Sequence, residues 1–251
     1  QAVKYFKLAS DQDHALAQYM LGSCYYDGHG VKKDNKQAFK YFKLASDQGD
    51  EDAQFMLGIC YYFGDGVKED YKQAVKYFKL ADAQDHVRAQ VMLGRCYYHG
   101  DGVKEDYKQA VKYFKLAAAQ GDAYPQYMLG RSYYHGHGVK EDDKQAVKYY
   151  KLAAAQGDEE AQYMLGICYY FGDGVKEDKK QAVKYFKLAS DQDHALAQYR
   201  LGRCYYFGNG VKEDDKQAVK YFKLASDQEN ARAQYMLGQS YYNGFGVKED
   251  K

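Results

Sequence analysis

Much of what would announce a function is missing from this chain of 251 residues. No apolar run approaches the roughly 20 residues that a membrane-spanning helix needs, so a soluble chain with no membrane partner is expected. Neither sign of charge prevails, because 36 basic and 35 acidic residues leave a formal net charge of +1. That balance gives no reason to expect nucleic acid as a partner. Cysteine is confined to Cys24, Cys60, Cys96, Cys168 and Cys204, all at one position of a recurring pattern that holds Ser132 and Ser240 in two further copies. Equivalent positions of stacked helices lie on the order of 8–10 Å apart, beyond the roughly 7 Å between Cα atoms that a disulfide allows. The cysteines therefore read as small, semi-apolar core residues suited to a reducing compartment. Proline occurs once, as Pro125, in place of a recurrent alanine, which a helix tolerates only in its first turn.

Chemical constellations are equally sparse. His135-Gly136-His137 is the nearest approach to a metal pair, but it lacks the third and fourth ligands of a zinc site, and other copies carry Asp65 or Phe207 instead. No metal or other cofactor is expected. A nucleophile and base must come within reach of each other, and Ser132 with His135 is merely an i, i+3 pair at a helix end, so catalysis is not expected either.

What the chain does contain is a ruler. The stretch Gly58-Ile59-Cys60-Tyr61-Tyr62-Phe63-Gly64-Asp65-Gly66-Val67-Lys68-Glu69-Asp70 recurs every 36 positions, starting at Gly22, Gly58, Gly94, Gly130, Gly166, Gly202 and Gly238. A fixed period of this size marks a repeat array whose units touch only their neighbours. The expected division is one array over 1–251, in units 1–36, 37–72, 73–108, 109–144, 145–180, 181–216 and 217–251.

Each unit should hold two helices. In Asp34–Ala45, apolar Ala38, Tyr41, Phe42 and Ala45 fall on one helix face, and Asp34 with Gln37 has the form of a capping box. These B helices should continue the apolar face through Phe39 and Leu44, so they are expected to be covered on two sides, with Lys36, Lys40 and Lys43 on a solvated strip. The A helices should run from near Asp50 to Gly64, with Ala17, Leu21, Cys24 and Gly28 of the first copy turned inward. A glycine inside a helix costs roughly 1 kcal/mol against alanine, so the constant Gly22 position predicts a neighbour too close for a side chain. The Gly-x-Gly-Val-Lys that follows reads as a structural turn, because a phosphate-binding glycine loop would follow a strand and carry a third glycine. Tyrosine, with 30 residues, sits mostly at fixed positions such as Tyr25, Tyr61, Tyr97 and Tyr133, where packing accounts for every copy.

Ala53, Leu57, Gly58, Tyr61, Gly64, Gly66, Val67 and Asp70, followed by Ala74, Tyr77 and Ala81, closely resemble the Sel1-like repeat, a relative of the tetratricopeptide repeat. The resemblance covers essentially the whole chain, with tyrosine at Tyr41 and Tyr77 where the family often has tryptophan. It implies an all-α fold, a right-handed α/α superhelix of seven helix-pair repeats and about fourteen antiparallel helices, whose concave wall is built mainly from A helices. Some secreted members pair two cysteines within each repeat, and one per repeat argues against that branch.

Function is then sought where the copies drift. Positions equivalent to 16, 20, 23 and 27 fall within roughly 40° on a helical wheel and predict one exposed stripe lining the groove. The candidate binding residues are Ile59, Phe63, Arg88, Arg95, His99, Tyr124, Arg131, His135, Ile167, Phe171, Arg203 and Phe207. Free drift on a solvated face would favour lysine and glutamate, whereas these types are those of binding surfaces. The expectation is a non-catalytic interaction scaffold that takes a protein or peptide with acidic and apolar side chains across the third to sixth A helices. Neither end of the sequence reads as a polar cap, so a self-assembling structural protein, stacked head to tail, is the alternative.

Overall fold

The computed structural model describes residues 1–250, and Lys251, the last residue of the seventh expected unit, lies outside the described residues. The described residues form fourteen α-helices and no strand. The odd-numbered ones are the B helices: α1 (Ala2–Ser10), α3 (Asn35–Asp47), α5 (Tyr71–Asp82), α7 (Tyr107–Ala119), α9 (Asp143–Ala155), α11 (Lys179–Ser190) and α13 (Asp215–Asp227). The even-numbered ones are the A helices: α2 (Ala15–Asp27), α4 (Glu51–Phe63), α6 (Val87–His99), α8 (Ala123–His135), α10 (Glu159–Phe171), α12 (Ala195–Tyr206) and α14 (Ala231–Asn243). They fall into two compact units, α1 to α7 over residues 1–120 and α8 to α14 from residue 121 onward. Within each unit every helix packs against those before and after it in sequence.

The helix boundaries follow from the capping chemistry. Asp34 accepts hydrogen bonds from the backbone N–H groups of Lys36 and Gln37, both at 3.0 Å, and Asp70 accepts from Gln73 at 3.0 Å, so donors orphaned in the first turn are satisfied. At the far end of α4, Gly64 takes the left-handed conformation and its N–H reaches the Cys60 carbonyl. Pro125 is the third residue of α8, within the first turn as required.

The seam of each repeat is the expected close approach. A Cβ on Gly22 would come within 2.6 Å of the Phe42 ring, and Phe42, Phe78, Phe114, Tyr150, Phe186 and Phe222 are fully buried at the matching B-helix positions. The second glycine of the turn is equally constrained. A Cβ on Gly66 would run into the carbonyl of Asn35 at the start of the preceding B helix, so this residue can carry no side chain.

Two sets of polar joints then tie repeat to repeat. Gln84 donates to Gln54 Oε1 and to the Gly49 carbonyl, both at 3.0 Å, and Gln192 repeats the arrangement on Gln162 and Gly157 at 2.9 Å. These bonds pay for burying Gln54 and Gln162. The middle residue of the Gly-x-Gly turn makes the second joint. Asp65 accepts from the Tyr26 hydroxyl at 2.8 Å and Asp101 from Tyr62 at 2.7 Å, while Asn209 donates to the Tyr170 hydroxyl at 3.0 Å. Where Phe245 stands at this position, it meets Tyr206 edge-on at 6.1 Å instead.

One expectation for the B helices is not met. Leu44 does not widen a covered face, because it and its equivalents Leu80, Leu116, Leu152, Leu188 and Leu224 are all exposed.

Candidate functional site

The predicted stripe separates into two kinds of residue. Its outer rows are open: Phe63, Phe171 and Phe207 are 58%, 54% and 51% exposed, and Arg88, His99 and His135 are exposed as well. Tyr124 is half-buried. The row through Ser23 departs from the expectation. Ile167 is buried, only 9% exposed, in a cluster with Phe186, Leu201, Cys204 and Tyr221, and half-buried Ile59 packs on the cluster of Phe55, Phe78, Leu93 and Cys96. Apart from Phe55 on the same helix, those neighbours come from the following A helix and the B helices beside it, so this row lies in the joint between successive A helices. A helical wheel gives the angle of a residue and not the side on which the next helix lies.

The arginines of that row are half-buried for the same reason. In the first unit the Arg95 guanidinium lies 6.0 Å from the centroid of the Tyr62 ring, and its Nε is buried without a hydrogen-bond partner. Arg88 sits 4.5 Å over Phe55 of the preceding A helix. In the second unit Arg131 lies 5.8 Å over Tyr127, Arg200 5.8 Å over Phe171, and Arg203 within 5.9 Å of Tyr199 and 5.5 Å of Phe207. Stacking holds the planar guanidinium against the ring by cation–π attraction and limits its freedom before any ligand arrives.

The fullest convergence is a crevice of about 450 Å³ between α12 and α14, lined by Tyr199, Arg203, Phe207, Ala231, Arg232, Tyr235 and Met236. It combines two forked cations with three aromatic rings. Of the candidates read from the sequence it contains Arg203 and Phe207, and it lies between the sixth and seventh A helices, at the end of the expected third-to-sixth span and one helix beyond it. Arg232, Arg200 and the ring at the Tyr199 position were missed as site residues. Two signals for them were present: Arg200 breaks a row of methionines, and an aromatic ring stands at Tyr19, Phe55, Tyr127, Tyr163, Tyr199 and Tyr235.

Histidine occupies an unforeseen place, the N-cap of an A helix, at His14, His86 and His194. His86 Nδ1 accepts the Ala89 N–H at 3.1 Å as the N-cap of α6, which leaves the ring proton on Nε2, 3.2 Å from Asp52 Oδ1. The ring stacks on Phe55 at 4.8 Å. His194 does the same for α12, with Nδ1 on Ala197 N–H at 3.1 Å, Nε2 3.4 Å from Glu160 and the ring 4.8 Å from Tyr163.

The remaining reactive groups are engaged otherwise. Burial pushes the thiols of Cys60, Cys96 and Cys168 up to about 12 and that of Cys204 to about 11, far from the thiolate range of a nucleophile. Ser132 is fully buried and its hydroxyl donates to the Met128 carbonyl at 2.8 Å. Burial, then His137 and Arg131, hold the His135 imidazole below its usual value. Among the described residues no group of three or more histidine, cysteine or carboxylate side chains is placed to hold a metal, and no helix is long and apolar enough to cross a membrane.

Comparison with protein families matches the Sel1 repeat at residues 1–14, 15–50, 51–86, 87–122, 126–158, 159–194, 195–230 and 231–251. Among solved structures, a protective antigen of uropathogenic Escherichia coli strains displaying an SLR fold shares 35% identity at a TM-score of 0.91, covering 99% of this chain and 53% of that one. The chain thus spans about half the length of that relative. A Sel1 repeat protein from Oxalobacter formigenes shares 32% identity at a TM-score of 0.81, over 99% of this chain and 72% of its own. A sel1 repeat protein from Klebsiella pneumoniae, 21% identical over 80% of this chain and 98% of its own, agrees in fold at a TM-score of 0.52. No curated protein matches. With repeat matches tiling nearly every residue and two relatives above 30% identity aligned over almost its full length, this chain belongs to the Sel1 repeat family.

Proposed function

We propose that this chain is a non-catalytic scaffold that holds a peptide or protein segment with acidic and apolar side chains on the exposed faces of its A helices. Sel1 repeat proteins are generally non-catalytic scaffolds, and their fold commonly mediates protein–protein interaction. The observation that carries the finer reading is the crevice between α12 and α14, where Arg203 and Arg232 stand among Tyr199, Phe207 and Tyr235. Arginine forks bind carboxylates in bidentate fashion, and aromatic and arginine side chains dominate binding energy at interfaces. A carboxylate flanked by an apolar side chain therefore finds a partner for each half. Arg88 on Phe55 and Arg200 on Phe171 supply the same pairing elsewhere on the A helices.

The test is calorimetric titration with a synthetic peptide alternating glutamate with leucine and phenylalanine. The double variant Arg203→Ala/Arg232→Ala should bind about tenfold or more weaker, while its unfolding free energy stays within about 1 kcal/mol of the parent. An affinity unchanged by the double variant, or no binding by the parent, overturns the assignment.

A further inference from the structure

We propose that the B helices carry a second surface, independent of the A-helix site, that adsorbs to an anionic lipid bilayer. The exposed face of α5 reads Lys72, Lys76, Lys79 and Leu80, and that of α7 repeats it residue for residue one period later. Each leucine is partly exposed, 42% at Leu80 and 44% at Leu116, so an apolar side chain stands beside three cations on each helix. Where α3 and α13 end their outer face in Asp47 and Asp227, α5, α7 and α9 have Ala83, Ala119 and Ala155, and the face is then cationic throughout.

These charges are not consumed within the fold. Among the described residues no lysine of α5 or α7 forms an ion pair. Lys76 lies 5.8 Å over the Tyr77 ring and Lys79 5.7 Å over Tyr97, yet both remain exposed. The near-zero net charge of the chain conceals this segregation, because acidic residues such as Glu69, Asp70, Glu105 and Asp106 collect in the turns.

Charge complementarity calls for an anionic occupant, and the form of the face favours a lipid surface over an acidic peptide. A peptide anchors its side chains in pockets, and crevices of about 450, 560 and 500 Å³ are lined by A-helix and turn residues. On the B helices the leucines are single and protruding. A bilayer interface needs no pocket: it accepts isolated apolar side chains into the headgroup region and adds many weak lysine contacts to anionic lipid.

The absence of tryptophan supplies a clean probe. The variant Leu116→Trp should shift its emission to shorter wavelength with vesicles of phosphatidylcholine containing roughly a third phosphatidylserine, and should show no shift with phosphatidylcholine alone. In flotation, the parent chain should rise with the anionic vesicles, less so as salt is added. Lys76→Gln/Lys112→Gln and Leu80→Gln/Leu116→Gln should each lower the bound fraction about tenfold, with helicity and melting temperature unchanged. No flotation with anionic vesicles, flotation indifferent to both pairs of changes, or an emission shift produced by soluble polyglutamate but not by vesicles overturns the proposal.

Discussion

Asp52, Phe55 and His86 in the first unit correspond to Glu160, Tyr163 and His194 in the second. Both trios do the same local work: the imidazole caps the next A helix through Nδ1, points Nε2 at a carboxylate of the preceding one, and lies flat on an aromatic ring at 4.8 Å. What differs is the residue presented outward. Arg88 covers Phe55 in the first unit, whereas Leu196 stands at the equivalent position of the second and is exposed. The joint is held constant while the adjoining surface is rewritten, which is how a repeat array changes what it recognises without changing how it is held together.

The largest effect should come from the glycine beneath each joint. Gly58→Ala and Gly166→Ala both force a Cβ into a buried ring, Phe78 or Phe186, and each should cost about 3 kcal/mol in urea unfolding. Gly238→Ala meets nothing within 4 Å and should instead gain about 1 kcal/mol of helix propensity. Equal losses at all three would break the comparison.

Between the two joints, Tyr150 occupies the position of Phe78 and Phe186, fully buried with a hydroxyl that has no partner. Tyr150→Phe should therefore stabilise the chain by about 1 kcal/mol, since a buried unsatisfied polar group is a net cost. A loss on the same unfolding assay would show that the hydroxyl is satisfied.

A smaller gain is expected just before the two histidines. Asp85 and Asp193 both take the left-handed conformation, at φ 62°, where Gly49 and Gly157 serve in other copies. Asp85→Gly and Asp193→Gly should each raise the melting temperature slightly, for a gain of about 0.5–1 kcal/mol. Unequal gains would show that the two joints differ in strain.

The smallest effect is electrostatic. The hydrogen bond from His194 is the main influence holding the Glu160 carboxyl below its usual value, against an opposing push from burial. A carboxylate lowered on folding contributes stability that is full above its unfolded value near about 4.3 and is lost as pH falls through the lowered one. Glu160 is half exposed, so Glu160→Gln should flatten the acid limb of the stability curve by only a few tenths of a kcal/mol. An acid limb that keeps its full slope would remove Glu160 from the joint.

The period, the glycine that follows each A helix and the close approach at Gly58 were legible because each is stated seven times over by one residue type with one physical use. The half-burial of Arg95 and the burial of Ile167 were not, because a wheel drawn for one helix contains no second helix. Gln54 and Gln84 were passed over since a polar residue on a helix reads as solvated until its partner, 30 positions away, is placed beside it. His86 and His194 were hidden by substitution: Asp50 announces a cap, and histidine at the same place does not. The candidate crevice was partly visible as Arg203 and Phe207, while its completion by Arg232 and Tyr235 depends on the spacing of α12 and α14.

The polar joints carry a consequence for how such a chain can be lengthened or shortened. Gln84 reaches residues 30 and 35 positions back, and Tyr62 reaches one 39 positions ahead, so every bond crosses the border between copies. Insertion or loss of a single codon would put both bond types out of step at that border. Duplication or excision of one whole 36-codon block keeps Gln84 and Tyr62 at the same sequence separation from their partner positions, so a gene of this kind can gain and shed blocks by recombination between its own copies while the product stays in register.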